Sequence, residues 1–296
     1  MNKDMPDNLM TPGHYENFPV GSFFLPTRLR APIRAIYAFA RSADDFADEG
    51  NDAADVRLAK LAEYHVHLDA LERGEKVQHP VFKALAPYIK EFNLPYPLFH
   101  DLLSAFEQDC TQNRYAHFGE VMDYCKRSAN PIGRLLLKLY GDEDAKHQAW
   151  SDGICSALQL INFLQDVAID WQKNRIYLPQ DDMTKFGISE RQIAEGRCDA
   201  LWQQFMKGQI ERARRMLQAG APLGLALKGR IGFEMRLIIL GGERILMQLH
   251  ASRGDMFQQR PKLGWKDWLY MLWRATFTQQ QRTSKSTSCS SGGCGH

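Results

Sequence analysis

No run of about 18 apolar residues occurs in the chain, so a membrane-spanning helix is not expected. The opening MNKDMPDNLMTPG has no apolar core of signal-peptide type, which argues for a cytoplasmic protein. An excess of either charge is missing too. Lys and Arg number 37 against 35 Asp and Glu, a formal charge of +2, too even for nucleic acid to be the partner by bulk electrostatics. Cysteine is sparse: the six, at 110, 125, 155, 198, 289 and 294, show no metal-ligand spacing in the folded part and read as free thiols in a reducing compartment. Alternating strand-like runs are absent, as is a Gly-rich dinucleotide fingerprint, so no NAD(P)H site is expected.

What is present is helical periodicity. Apolar residues recur at spacings of three and four, which predicts an all-α protein with helices over 28–49, 54–74, 80–92, 96–113, 118–140, 144–172, 189–218, 223–253 and 265–281. Gly50 and Gly74 close the first two, Pro95 and Pro97 separate the third from the fourth, and Ser189 with Gln192 has the form of a capping box. Residues 1–13 read as a flexible lead-in and 282–296, rich in Ser, Gly and Cys, as a disordered tail.

Two acidic ladders organise the sequence. In QLINFLQDVAIDWQKNRIYLP, Asn162, Asp166 and Asp170 follow one another at four-residue intervals, and in RSADDFADE, Asp44 and Asp48 do the same. Spacing of four keeps side chains on one helix face. Ile33, Ile36, Tyr37 and Ala40 define an apolar stripe that Asp44 and Asp48 extend, and Leu158, Ile161, Gln165 and Ile169 flank the second ladder. Carboxylates on faces that ought to be buried cost several kcal/mol unless paired or metal-bound. Both ladders are therefore expected inside a helical bundle, lining a central apolar cavity.

Mg²⁺ takes oxygen ligands and is held by one or two carboxylates together with substrate phosphates. Two or three such ions around a diphosphate would act as Lewis acids while its C–O bond breaks. A di-iron bundle needs Glu-x-x-His pairs, which neither ladder has. Arg41, Lys173 and Arg175 lie beside the ladders as cations for phosphate oxygens. The loop after Arg175, IYLPQDDMTKFG, has the composition of a lid that excludes water. Phe18, Phe23, Phe24, Tyr37, Phe39, Tyr124, Phe163 and Phe233 are candidates for an apolar wall, Tyr37 and Tyr124 also for stabilising a cation.

Taken together, YAFARSADDFADE and NFLQDVAIDWQKNRIYLP resemble, in order and separation, the two aspartate-rich signatures of the squalene and phytoene synthase family of head-to-head prenyl transferases. The resemblance runs from His14 to Leu249. It implies an all-α isoprenoid synthase domain spanning 14–281, Mg²⁺-dependent ionisation of a diphosphate and peripheral association with a membrane. By position it implies that Asp44, Asp48, Asn162, Asp166 and Asp170 are metal and diphosphate residues. His14, Asn17, Tyr37, Arg41, Tyr124, Gln159 and Arg175 fall in the substrate shell.

Within the family, GHYENFPVGSFFLP and ARSADDFADEG are similar to the branch encoded with bacterial hopanoid genes, that of hydroxysqualene synthase. That branch ionises presqualene diphosphate and lets water capture the rearranged cation; presqualene diphosphate is the expected partner, and other hopanoid-pathway enzymes are candidates for a further one. Where the family carries a Tyr-x-x-Ile-Leu pattern, this chain has GERIL, with Gly242 in the tyrosine's place, expected to open room for water. The alternatives are condensation of two prenyl diphosphates to presqualene diphosphate, squalene or phytoene, or a noncatalytic scaffold, which would have no reason to keep both ladders. Trp265, Trp268, Tyr270, Trp273 and Phe277, with Lys266 and Arg274, suit either a membrane interface or a closing core helix.

Overall fold

The structure, a computed structural model, describes residues 25–50, 52–258 and 260–288, with side chains as far as residue 277. Thirteen helices are present among them: α1 Thr27–Asp48, α2 Ala54–Glu72, α3 Pro80–Phe92, α4 Tyr96–Asp109, α5 Phe118–Ser128, α6 Asn130–Tyr140, α7 Ala145–Gln172, α8 Gln180–Lys185, α9 Glu190–Ala194, α10 Ala200–Gly220, α11 Leu223–Ala226, α12 Gly229–Ala251 and α13 Trp265–Ser288. No strand occurs among the described residues, only an isolated parallel bridge between Arg114 and Ile176. The all-α expectation holds.

The described residues form two compact units, the first made of 25–113 with 119–143, the second of 114–118 with 144–288. The first unit is built around α1. Phe39, fully buried, meets Phe82 and Phe99 edge-on at centroid distances of 5.7 and 5.3 Å, and Tyr64 lies 5.9 Å away. Burying such a ring contributes roughly 1.5–3 kcal/mol, so Phe39 is core and not a wall of the site. Gly50, at φ 81°, ends α1 in the left-handed region that lacks a steric penalty only for glycine. The helix expected over 118–140 is two helices, because Pro131 has no N–H to carry the first ladder onward and sits in the opening turn of α6.

In the second unit α7 runs 28 residues, capped by Asp144, whose carboxylate accepts from the N–H groups of Lys146 at 2.7 Å and His147 at 3.1 Å. It packs against α10 at close range: a Cβ on Gly220 would stand 2.5 Å from the Trp150 carbonyl oxygen. Only glycine allows that approach. The helix expected over 189–218 divides at Gly196 (φ 60°), and the one over 223–253 divides at Gly229 (φ 61°). Ser189 does cap α9, accepting from the Gln192 N–H at 3.3 Å. The Gln192 side chain turns away to the Arg197 carbonyl and Asp199, so the reciprocal half of a capping box is not formed. The sequence predicts that the last helix ends at Gln281, and the backbone of α13 continues to Ser288. Residues 1–13 and 289–296 lie outside the described residues.

Candidate active site

On α1 the buried stripe is Leu29, Ile33, Ile36, Phe39, Ala43 and Ala47. Tyr37, Arg41, Asp44 and Asp48 run along its half-buried flank, one step round the helix from where the sequence reading puts the carboxylates. Small Ala43 and Ala47 take the packed positions, and Asp44 and Asp48 stay half-buried beside them. Arg41 serves as a hub: its guanidinium reaches Asp44 Oδ2 at 3.4 Å, Asp45 Oδ1 at 2.8 Å and Glu49 Oε1 at 2.8 Å.

Asp44 is crowded by protein although 37% of its side-chain surface still meets solvent. Loss of hydration, then the neighbouring Asp48 charge, push its carboxyl up to about 7 against the pull of Arg41, with Asp109 and Asp45 adding to the rise. Asp109 is buried and accepts a 2.6 Å hydrogen bond from the Tyr124 hydroxyl. Tyr124, expected in the substrate shell, is thus brought into the electrostatic neighbourhood of the first ladder through a residue the sequence reading missed. Nothing in the spacing signals Asp109, since its role depends on α4 meeting α5.

The second ladder differs from expectation at its first rung. Asn162 is exposed, while Asp166, Asp170 and Gln159 are half-buried beside the packed stripe of Ala157, Ile161, Leu164 and Val167. A rotation of 100° per residue carries Asn162 off that stripe, and the apolar neighbours in sequence do not bury it. Gln165 is buried and donates to the Pro261 carbonyl at 2.8 Å, and the preceding residue, Arg260, forks onto Asp166 with Nη2 3.1 Å from Oδ2 and Nε on Oδ1. Arg260 is the other residue missed by the sequence reading, since no helical pattern points to it. Arg175 is half-buried just past α7, its N–H donating to the Asp170 carbonyl at 2.8 Å.

The segment after Arg175 is packed against α7 and residues 115–116 instead of standing open. Ile176, Tyr177, Leu178 and Pro179 are buried, Tyr177 stacks on Phe163 at 3.9 Å and 3°, and Gln180 and Asp181 donate their N–H groups to the carbonyls of Tyr115 and Ala116. Arg114 forks onto Glu190 at 2.6 and 2.9 Å and onto Asn174, which turns the chain at φ 57°. The apolar run IYLP explains the correction, because those side chains are worth more packed than facing water.

Gly242 opens no room either. A Cβ there would come within 2.9 Å of Leu217, 3.1 Å of Leu158 and 3.3 Å of Ile161, so the glycine lets α12 settle onto α7 and α10. His14 and Asn17, with Phe18, Phe23 and Phe24, lie outside the described residues. On α13, Met271 and Ala275 are buried, and Trp265, Leu269, Trp273 and Phe277, four residues apart, are exposed by 47% to 70%. No described helix is long and apolar enough to cross a membrane.

Each ladder thus offers oxygen donors alone, with a guanidinium at hand. The raised Asp44 carboxyl beside Asp48 is the electrostatic state that a bound divalent cation would relieve, so the donor set fits Mg²⁺.

The sequence profile described as squalene/phytoene synthase matches residues 11–267. A hydroxysqualene synthase from Sinorhizobium fredii is 34% identical over 79% of this chain and 79% of its own length, and one from Rhodopseudomonas palustris is 35% identical over 80% of each. A phytoene synthase from Arthrospira platensis is 29% identical over 85% of both. Among solved structures, squalene synthase HpnC from Alicyclobacillus acidocaldarius superposes with a TM-score of 0.75 at 34% identity, covering 81% of this chain and 90% of that one.

Proposed function

The chain belongs to the squalene/phytoene synthase family of head-to-head prenyl synthases, and within it we propose that this enzyme ionises presqualene diphosphate and gives hydroxysqualene and diphosphate. The observation that carries the reading is identity of 34–35% to two hydroxysqualene synthases across about four-fifths of the chain; the family profile match, over 11–267, includes both acidic ladders.

Asp44 and Asp48 on α1, and Asp166 and Asp170 on α7, are the residues to hold Mg²⁺, with exposed Asn162 as a further oxygen donor. Bound there, the ions supply Lewis acidity that stabilises charge on the departing diphosphate. Arg41, Arg175 and Arg260 are candidate guanidinium donors to phosphate oxygens; Arg41 and Arg260 are held beside carboxylates until an anion competes for them. As the C–O bond breaks, the electron pair leaves with the diphosphate. The ring of Tyr124, its hydroxyl engaged by Asp109, and that of Tyr37 offer π faces to the carbocation. Water then adds to the rearranged cation and loses a proton, which completes the alcohol. The sequence has no dinucleotide fingerprint, which favours capture by water over hydride transfer from NADPH.

The substrate and product are long hydrocarbons, and the exposed aromatic stripe of α13 suits peripheral contact with the bilayer interface that stores them. The deciding experiment incubates the purified chain with Mg²⁺ and, separately, presqualene, farnesyl and geranylgeranyl diphosphates, and identifies products by mass spectrometry. Hydroxysqualene from presqualene diphosphate alone is the expected result. Turnover of farnesyl or geranylgeranyl diphosphate would move the assignment to a condensing member of the family, and no turnover with any of them would favour a scaffold.

A further inference from the structure

A second cluster of metal-ligating groups lies in the first unit, where α2 faces α4, and it uses none of the ladder residues. On α2, His65, Asp69 and Glu72 follow at four and three residues, along one face; on α4, His100 and Glu107 share another. The two imidazoles stack with centroids 4.9 Å apart and bring their Nδ1 atoms to 2.6 Å. Their outer nitrogens face carboxylates, His65 Nε2 at 3.3 Å from Glu107 Oε1 and His100 Nε2 at 3.4 Å from Asp69 Oδ1. One ligand atom each from Asp69, Glu72 and His100 all stand within 4.8 Å of one another.

Proton bookkeeping along this row is informative. The Nδ1–Nδ1 contact needs one ring to donate and the other to accept, and each outer nitrogen faces a carboxylate, which only accepts. With both rings uncharged one outer nitrogen therefore turns a lone pair on its carboxylate, and a metal ion between His100 Nε2 and the Asp69 oxygen would relieve that repulsion. The 3.4 Å separation is long for a charge-assisted hydrogen bond, typically about 2.7–2.9 Å. It matches the edge of a tetrahedral zinc site, where two bonds of about 2.05 Å place their ligand atoms about 3.3 Å apart. A ligating histidine usually donates its other ring N–H to a fixed acceptor, and His65, steadied by Glu107, is that acceptor.

We infer that His100, Asp69 and Glu72 form a binding site for a divalent transition-metal ion of the zinc class, with His65 and Glu107 positioning the ligating imidazole. The imidazole selects against Mg²⁺, which prefers oxygen alone, and three protein ligands leave a place for water. Such an ion would fasten α2 to α4, to the benefit of a helix whose buried residues are only Leu61, Tyr64 and Leu68.

The test titrates zinc chloride into the EDTA-stripped, desalted full chain by calorimetry in excess Mg²⁺. Wild type is expected to take up one more Zn²⁺ than the Asp69→Asn/Glu72→Gln double variant, whose altered side chains are exposed and leave the fold intact. His100→Ala should lose the same ion, and His65→Ala should weaken it roughly 10- to 100-fold. Co²⁺ used in place of Zn²⁺ should give visible absorption bands that vanish in these variants. Equal zinc uptake by wild type and the double variant overturns the inference, as does an extra ion that disappears instead when Asp166 and Asp170 are changed.

Discussion

Arg260 and Asp166 form a two-pronged ion pair, Nη2 to Oδ2 at 3.1 Å with Nε on Oδ1, and Asp166 is a proposed metal ligand. A guanidinium and a cation on the same carboxylate repel each other and compete for its lone pairs. Mg²⁺ binding at Asp166 is therefore expected to loosen Arg260 and turn it toward the diphosphate. Arg260→Gln should lower the Mg²⁺ concentration for half-maximal diphosphate release, since a competitor is gone. It should also cut turnover more than tenfold, about 1.4 kcal/mol in the barrier. Unchanged values of both would make the pair a structural contact only.

The Asp44 carboxyl, pushed up to about 7 in the folded chain from an ordinary 3.8, makes stability depend on pH when metal is removed. The folded state holds a proton that the unfolded chain has already released. The cost is absent below about pH 4, grows as pH rises and is complete above about pH 7. In EDTA, Asp44→Asn should melt increasingly above wild type between those limits, and Mg²⁺ should narrow the gap. Melting curves that stay parallel from acid to neutral pH would contradict this.

At Gly242 the surrounding Leu217, Leu158 and Ile161 leave a side chain nowhere to go without displacement. Gly242→Ala should cost about 1–3 kcal/mol in urea unfolding, as overpacked cores do. Gly242→Tyr should fail to fold stably, and would not merely change the ratio of alcohol to hydrocarbon products. A stable tyrosine variant with an altered product ratio would restore the water-pocket reading.

Trp273 and Phe277 contact one another at a centroid distance of 5.5 Å and remain 56% and 47% exposed. Replacing both with serine should abolish flotation with liposomes of mixed anionic and zwitterionic phospholipids while leaving the melting temperature within a degree or so, in line with the small effects of surface substitutions. Flotation equal to wild type would remove the membrane role from α13.

The helices were legible because three- and four-residue spacing survives in sequence, and the ladders because carboxylates interrupt that spacing at regular intervals. Which flank of α1 faces ligand was harder to read. Apolar Tyr37 and Ala40 suggested the packed face, yet Ala43 and Ala47 hold it, and small residues give a weak periodic signal. Asp109 and Arg260 were invisible for another reason. Each acts on a partner far away in sequence, Arg260 on Asp166 and Asp109 on Tyr124, so only the packing of one element on another reveals them. The Pro and Gly beside IYLP have the composition of an open loop, whereas its four apolar side chains bury themselves.

Residues 114–118 belong to the second unit although 119–143, which follow them, return to the first. During synthesis the chain therefore makes Arg114 and Tyr115 well before the Asn174, Glu190 and Tyr177 that they will secure. The early segment has to wait for its late partners. A gene fragment beginning at Asp144 would be born without them, its Gln180 and Asp181 amides short of the Tyr115 and Ala116 acceptors. Domain dissection of this enzyme should accordingly carry the 114–118 peptide in trans, or keep the whole length.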